Sequence, residues 1–287
     1  MLIDLQLHST YSDGYLIPGR LADFISTNNI KIAALTDHNT ISGLDEFKLA
    51  CEKNNIKTIA GVELYVKLGH KKFNLLWYNF DQHNSELHNL LRTSQTRRRR
   101  QVGNALIKLK KLGFKIDESE LLNKFNHYIP INHLIDHISK IPANKKLIIK
   151  KLKIANPGQD DILIKIFKNK AFAKISESYI GLKQILNLRK KIGGQLILNH
   201  PGKHRRLDEK FMVGIKKLGL DGLEVISPHH SIGAVMFLER LAREYKLIMT
   251  GGSDFHRLES GPAGLTSAYN YFRIDSNYLN NIKKIIG

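Results

Sequence analysis

Residues 4–14 read DLQLHSTYSDG and continue a short apolar stretch that begins at Met1. Apolar runs rich in Ile, Leu, Val and Ala recur along the chain, and each ends in polar residues: MLIDLQLH, IKIAALTDH, IKTIAGVE, QLILNHP, DGLEVIS and KLIMTGGSDFH. Such runs are typical of strands buried on both faces of a parallel sheet. Stretches with helical spacing, such as PGRLADFISTNN, lie between them. The alternation predicts an α/β fold with a parallel sheet.

Length and composition narrow the class of protein. The 287 residues suffice for one barrel-sized domain or two smaller domains. The single cysteine, Cys51, excludes an intrachain disulfide and a multi-cysteine zinc site, which fits a reducing compartment. The first residues show no signal-peptide pattern, and no apolar run approaches membrane-spanning length. We therefore expect a soluble cytoplasmic protein that contacts no membrane.

The formal net charge of +19 creates a positive field that attracts polyanions such as nucleic acids, nucleotides or an acidic membrane surface. The same charge also follows from a drift toward Lys, Ile and Asn along the whole chain. The charge by itself leaves both explanations open.

The middle of the chain departs from the β-α rhythm. From about residue 94 to residue 178 the sequence is basic, helix-like and poor in strand signals. The rhythm resumes near SYIGLKQILNLRKKIGGQLILNHPG. We predict a barrel domain made of residues 1–93 and 179–287, with residues 94–178 inserted as a helical subdomain.

The insertion opens with TRRRRQVGNALIKLKKLGF, in which Val102, Leu106, Leu109 and Leu112 recur at helical spacing and Gly113 stands where a C-cap would fall. The arginines could grip phosphates. Four consecutive residues point all around a helix, however, which favours a solvated helix start.

Metal-ligand residue types stand at the ends of the predicted strands. In parallel barrels the active site is built at the carboxyl ends of the strands, so residues far apart in sequence would converge on one mouth. Taken singly, each has an ordinary structural explanation, and Asp13 is also part of a plain Asp-Gly turn. The strand-end residues are His8, Asp37, His38, Glu63, His200, Asp254 and His256.

Imidazoles and carboxylates without thiolates suit zinc, manganese or iron, and this many ligands could hold more than one ion. Clusters of this kind activate water at neutral pH and bind both the attacking and the leaving oxygen of a phosphate ester. The strand-end set therefore predicts a metal-dependent phosphoesterase.

Six segments carry a resemblance to a known family: LQLHSTYSDG, ALTDHNTISGL, AGVEL, LNHPG, GLEVISPHH and GGSDFH. They resemble the PHP (polymerase and histidinol phosphatase) superfamily of metal-dependent phosphoesterases. Their order is most similar to the branch of RNase AM and the TrpH-like proteins, which act on nucleoside 3',5'-bisphosphates and on RNA from the 5' end. The resemblance implies a distorted (β/α)7 TIM-like barrel with an inserted helical lid. It is strong at both ends of the chain and weak across the insertion.

The resemblance also implies a site with two to three divalent ions. His8, Glu63 and Asp254 would share one ion, with Glu63 bridging to a second ion that His200 also binds. The ligands of a third ion would be Asp13, His38 and His256. The residues implied in catalysis are Asp13, His38, Glu63 and His256.

Two residues depart from the family pattern. The family motif begins His-x-His, whereas this chain has Gln6-Leu7-His8, and Asn74 stands where a second metal-binding histidine is expected. His70 could compensate for the latter. Amide oxygens are neutral and harder donors than imidazoles, so we expect manganese or magnesium to be favoured over zinc or iron, with manganese first. Gln6 and Asn74 thus enter the predicted ligand set.

Of the residues that contact substrate in the family, this chain lacks one and keeps others. In YIPINHLIDH the family has an arginine two residues before the histidine, and here that position is Ile131. His133 remains, and Lys203 lies near a position that is often basic in the family. The loop SPHHS places His229 and His230 near the predicted mouth.

The favoured hypothesis is a metal-dependent phosphoesterase that hydrolyses a phosphate ester of a nucleotide or a short RNA end. Histidinol phosphate is a second possible substrate. The alternative from another class is a catalytically impaired PHP-fold protein that binds RNA or nucleotides, motivated by Gln6, Asn74 and Ile131. Nothing in the sequence indicates an obligate protein partner.

Overall fold

The computed structural model describes residues 1–125, 127–203, 207–258 and 265–287, without the side chains of 265–268. The chain divides into two compact units. Met1–His88 and Tyr179–Gly287 form the first, called the barrel unit below. Asn89–Ser178 form the second, called the helical unit.

The strands belong to the barrel unit. In chain order they are β1 (Leu2–Leu7), β2 (Ile32–Leu35), β3 (Lys57–Leu68), β4 (Lys71–Tyr78), β5 (Ile180–Gly181), β6 (Gln195–Leu198), β7 (Gly222–Ile226), β8 (Ile248–Gly251) and β9 (Ile274–Asp275). They form one sheet in the order β8-β7-β6-β4-β3-β2-β1-β9, with β5 beside β3. Leu7 also bridges Phe255, four residues beyond β8, so the sheet curls back on itself as a nearly closed barrel. The predicted α/β barrel is confirmed.

The strand β4 runs against the direction expected from the sequence. β4 is antiparallel to both β3 and β6, whereas β1–β3 and β6–β8 pair in parallel. Only Gly69 and His70 separate β3 from β4, and Gly69 has a φ of +57°. A two-residue connection closes a hairpin, because a parallel crossover needs roughly a dozen residues. The expectation of a wholly parallel sheet was therefore wrong at β4, and it was also wrong at β9, which pairs antiparallel with β1.

Helices connect the strands of the barrel unit and build the helical unit. In chain order they are α1 (Pro18–Thr27), α2 (Leu44–Lys53), α3 (Ser85–Lys111), α4 (Glu118–Lys124), α5 (Ile131–Ser139), α6 (Pro142–Leu152), α7 (Gln159–Ile162), α8 (Leu182–Ile192), α9 (Glu209–Lys217), α10 (Ile232–Glu244) and α11 (Lys283–Ile286). In the part of the chain that the structure describes, no helix is both long and apolar enough to cross a membrane.

The interior of the barrel is polar because of how β1 alternates. Successive side chains of a strand point to opposite faces. Ile3, Leu5 and Leu7 occupy one face, and Asp4 and Gln6 occupy the other, followed by His8 at the strand end; all are fully buried. The polar face of β1 thus points into the barrel, where Gln6 contacts Glu63 and Asp4 contacts Ser253.

The helical unit has an apolar core of its own, to which α3 contributes Val102, Leu106 and Leu109. Gly113 follows α3 with a φ of +95°, and its N–H bonds to the carbonyl of Lys110, as a C-cap does. In the arginine run TRRRRQ of α3, one side chain is buried.

That arginine, Arg98, is 1% exposed. Its guanidinium donates to the carbonyls of Ile129 and Ser176 and lies 3.1 Å from a carboxylate oxygen of Glu177. The interpretation of the arginine run as a solvated helix start was therefore wrong, because α3 begins at Ser85 and backbone carbonyls inside the unit bind the side chain of Arg98.

Candidate functional site

The strand-end residues lie close together at one end of the barrel. His8 and Asp13 follow β1, His38 follows β2, His200 follows β6, and Asp254 and His256 follow β8; Glu63 lies within β3 rather than at its end. Apart from His200, which adjoins Glu63, they form two overlapping groups, and within each group the ligand-type atoms lie within 4.8 Å of one another. One group is His8, Asp13, His38 and His256; the other is His8, Glu63 and Asp254.

The first group surrounds the carboxylate of Asp13 with imidazoles. Oδ1 lies 3.5 Å from Nδ1 of His8 and 3.3 Å from Nε2 of His256, and Oδ2 lies 3.5 Å from Nε2 of His38. The His8 and His256 rings stack at 4.3 Å between centroids, and the His38 ring stacks on Tyr65 at 4.5 Å. Ring stacking fixes the planes, so each imidazole directs one nitrogen at Asp13.

The second group joins two carboxylates through His8. Its Nε2 lies 3.2 Å from Oε2 of Glu63 and 3.2 Å from Oδ1 of Asp254. Nε2 of His200 lies 3.3 Å from Oε1 of Glu63, and Nε2 of His229 lies 2.6 Å from Oδ2 of Asp254. His8 belongs to both groups and connects them.

Electrostatics hold the ligand-type carboxyls ionised. Burial raises the pKa of Glu63, but His38 and hydrogen bonds from His200 and His8 outweigh it and hold that pKa well below its ordinary value. Burial opposes ionisation of Asp13 and Asp254 too, and the neighbouring histidines again lower each pKa well below the usual range.

Two other buried carboxyls behave in the opposite way. Burial raises the pKa of Asp4 to about 6, and burial together with the Asp254 carboxylate raises the pKa of Glu224 well above its ordinary value. Neither residue is in the groups of ligand-type atoms. The barrel interior thus separates an ionised set of carboxyls from two that resist ionisation.

The amides of Gln6 and Asn74 both contact Glu63. Nε2 of Gln6 donates to Oε2 at 3.3 Å, and Nδ2 of Asn74 donates to Oε1 at 2.5 Å. The side-chain oxygen of Gln6 is buried and has no hydrogen-bond partner within the described residues. Both oxygens of Glu63 therefore accept a hydrogen bond from an amide, which sequence reasoning did not foresee.

Asp37 organises the loop that carries Asp13. Its carboxylate accepts hydrogen bonds from the N–H and the hydroxyl of Ser9, at 2.8 and 2.6 Å, and from the hydroxyl of Ser12 at 2.5 Å. Gly14 closes the loop, since a Cβ there would lie 2.2 Å from the carbonyl oxygen of His8. The signal available in the sequence for this role was the pair of serines in STYS together with the aspartate that follows β2.

Asp4 organises the loop after β8 in the same way. It accepts hydrogen bonds from the N–H and the hydroxyl of Ser253, at 3.0 and 2.6 Å, and from Tyr269 at 2.8 Å. A Cβ on Gly252 would lie 2.6 Å from Gln6, so only glycine lets this loop approach β1. The position of Asp4 inside a strand gave no signal of this role.

A family model described as PHP domain matches residues 4–172. The chain belongs to the PHP domain family. It is 26% identical over 256 residues to a 5'-3' exoribonuclease of Haemophilus influenzae, covering 88% of this chain and 89% of that protein. It is also 26% identical over 260 residues to a 3',5'-nucleoside bisphosphate phosphatase of Chromobacterium violaceum, covering 88% of this chain and 87% of the relative.

A solved structure shares the fold. A Bifidobacterium adolescentis protein assigned as a metal-dependent phosphoesterase superposes with a TM-score of 0.77 at 21% identity, covering 99% of this chain and 95% of that one. The PHP resemblance and the predicted enzyme class, a metal-dependent hydrolase, are confirmed. The two relatives differ in the substrates that their names state.

Two residues of this PHP site have a left-handed backbone, with φ of +25° at His200 and +49° at Asp254. Such conformations cost about 1–3 kcal/mol each in residues other than glycine. The N–H of His200 donates to Glu224 at 3.0 Å, and the neighbour of Asp254, Ser253, is bound to Asp4. These buried carboxyls thus stabilise the turns that direct both side chains into the site.

The residues expected to contact substrate fall in different places. His229 contacts Asp254, and Nζ of Lys203 lies 4.0 Å from the same carboxylate. Both ring nitrogens of His230 bond to backbone atoms, Nδ1 to the carbonyl of Val225 and Nε2 to the N–H of Gly202. His133 lies in α5 of the helical unit.

The donor set fits divalent cations. Charged groups are buried in proteins when they are paired or bind metal ions. Here ionised carboxyls and imidazoles are gathered at one end of the barrel, and Nδ1 of the buried His200 has no hydrogen-bond partner in the part of the chain described. Carboxylate and imidazole ligands without thiolate suit manganese, iron or zinc.

Proposed function

We propose that this PHP protein hydrolyses a phosphate ester of a nucleotide or of an RNA end, with divalent ions bound at the two groups. The observation that carries the proposal is the meeting of Asp13, Glu63 and Asp254 with four imidazoles at the mouth of the barrel. The substrate class is supported by the names of the two relatives and by the net charge of +19.

The ligands proposed for the first ion are Asp13, His38 and His256, with His8 shared between the groups. The ligands proposed for the second ion are Glu63, Asp254 and His200. When bound, such ions stabilise the charge on the phosphoryl oxygens and lower the pKa of a bound water. The two groups provide for two ions, the lower limit of the two to three expected. Manganese is the ion we propose, because carboxylate oxygens are hard donors.

Other side chains have proposed roles in binding the phosphate. Lys203 is about half exposed and supplies a positive charge close to Asp254. The ring of His229 is held by Asp254 and remains 30% exposed, so it offers a polar contact beside the ligands. His230 has a structural role in the proposal, because its ring bonds to the backbone of Val225 and of Gly202 and so connects the two turns. The substrate contact expected of His133, in α5, stays a prediction.

The test is phosphate release from a nucleoside 3',5'-bisphosphate by protein that has been stripped of metal and resupplied with manganese. A 5'-phosphorylated RNA oligonucleotide is assayed in parallel. We expect turnover that requires manganese and is lost in Asp13→Ala and in Asp254→Ala. The matched control is Asp45→Ala, which removes an exposed aspartate on α2 and should leave turnover unchanged.

A second candidate is favoured by the amides on Glu63, namely a protein of this fold that binds nucleotides or RNA without hydrolysing them. It predicts no release above the Asp13→Ala background from either substrate. It also predicts retention of the labelled oligonucleotide in a filter-binding assay. Turnover in the wild-type protein would exclude it.

A further inference from the structure

The two groups of ligand-type residues differ in what surrounds their carboxylates. Asp13 has imidazole nitrogens around it. Glu63 has imidazoles too, but each of its oxygens also accepts a hydrogen bond from an amide, Oε2 from Gln6 and Oε1 from Asn74. We call Gln6 and Asn74 the amide clamp.

The chemistry of Glu63 determines which way the amides face. An ionised carboxylate only accepts hydrogen bonds, so the NH₂ end of each amide must point at it and the oxygen must point away. The result is visible at Gln6, whose buried side-chain oxygen has no hydrogen-bond partner in the described ranges. The amide clamp therefore presents donors, and not metal ligands, to the space around Glu63.

An ion bound at Glu63 gains no ligand from the amide clamp while the NH₂ groups face the carboxylate. To coordinate that ion, the amide of Gln6 would have to rotate its oxygen inward and give up its hydrogen bond to Oε2. Its NH₂ group would then be buried without the acceptor it now has, which is unfavourable. A neutral imidazole at the same position would offer a lone pair without this exchange. The carboxylate of Asp13 accepts a hydrogen bond from the Ser12 hydroxyl at 3.2 Å, but that hydroxyl also lies 2.5 Å from Asp37, so it keeps an acceptor when an ion binds at Asp13.

We propose that the amide clamp makes the two groups unequal, so that the first divalent ion binds tightly at Asp13, His38 and His256 with His8, and a second binds only weakly at Glu63 and Asp254. This inference rests on the proposed metal-dependent function. Changes next to metal ligands typically alter affinity by about 10- to 100-fold, and we expect the two sites to differ by that factor.

The first test counts tightly bound ions. Metal-stripped protein is equilibrated with Mn²⁺, desalted and analysed for metal by mass spectrometry, and free Mn²⁺ is followed by electron paramagnetic resonance. We expect the wild-type protein to retain a single ion per chain. Asp13→Ala should lose it, and Asp254→Ala should keep it. Retention of two ions of equal affinity, or loss of the tight ion in Asp254→Ala, would overturn the inference.

The second test removes the amide clamp. Gln6→His combined with Asn74→His should raise the affinity for the second ion by about 10- to 100-fold and leave the first unchanged. Gln82→His is the matched control, because it adds an imidazole at a half-buried side chain that bonds to Asp45 and contacts neither group. Circular dichroism checks the fold of each variant. No gain in a folded double variant would contradict the inference, and if that variant fails to fold, the pair Asp13→Ala and Asp254→Ala decides.

Metal counting and turnover separate this inference from the proposed function. One tight ion with no phosphate release from any substrate would refute the function and leave the inference standing. Manganese-dependent release by a protein that holds two equal ions would refute the inference and leave the function standing.

Discussion

The two halves of the site are positioned by different kinds of structure. The loop half, Asp13, His38 and His256, lies on segments that follow β1, β2 and β8, and side-chain hydrogen bonds to Asp37 hold the first of them. The strand half, Glu63 and Asn74, lies inside β3 and β4, where the backbone ladder pairs Glu63 with Leu76 and Tyr65 with Asn74. The hydrogen bonds of the ladder join backbone atoms and not the side chains of Glu63 or Asn74, whereas the loop depends on particular side chains. We infer that substitutions are tolerated more easily in the strand half.

The largest loss of phosphate release should follow a substitution in the loop half. Asp13→Ala removes the carboxylate that three imidazoles face. We expect phosphate release to fall by more than about 100-fold, the upper range for residues that only support ligands. Phosphate release by Asp254→Ala, which we also expect to be lost, is measured at saturating manganese for comparison. A fall of less than about 10-fold in Asp13→Ala would show that the loop half does not contain the principal ion.

The support of the loop half is tested next, by Asp37→Ala. This change leaves one N–H and two hydroxyls without their buried acceptor. We expect the free energy of unfolding to fall by about 1–3 kcal/mol and the affinity for manganese by about 10- to 100-fold. Urea denaturation and metal titration measure the two effects. If stability falls but affinity does not, Asp37 has only a structural role.

A smaller effect is expected in the strand half. Asn74→Ala removes one hydrogen bond to Glu63 and leaves the ladder between β3 and β4 in place. The free energy of unfolding should fall by roughly 1 kcal/mol, the net contribution of an ordinary hydrogen bond. The affinity for the first manganese ion should not change. A large loss of that ion in Asn74→Ala would mean that the two halves act as one.

The smallest effect is expected at the rim of the site. Lys203→Met removes a half-exposed charge 4.0 Å from Asp254. Exposed charges contribute little, so the KM for a nucleoside 3',5'-bisphosphate should rise by about 2- to 5-fold with kcat unchanged. The difference should shrink as salt is added, because salt screens exposed charges. A change in kcat instead of KM would place Lys203 among the groups that act on the reacting phosphate.

Much of the fold and of the candidate site could be predicted because the ligand types occur at the ends of strands. Local patterns of this kind survive in the sequence, since each strand and its terminal residue are contiguous. The direction of β4 was missed although the signal was local, because KLGHKK was not interpreted as a hairpin turn. The burial of Arg98 was missed for another reason, since its acceptors Ile129 and Ser176 lie far along the chain.

By itself, the sequence determined the α/β class, the PHP resemblance and the ligand types at the strand ends, because these depend on short-range order along the chain. Only the tertiary structure decided that Asp4 and Asp37 support loops while Asp13 and Asp254 face imidazoles, since all four are aspartates near a strand. It also decided that the amides of Gln6 and Asn74 donate to Glu63. The direction of an amide depends on its partner across the barrel, and that partner lies 57 residues from Gln6 and 11 from Asn74.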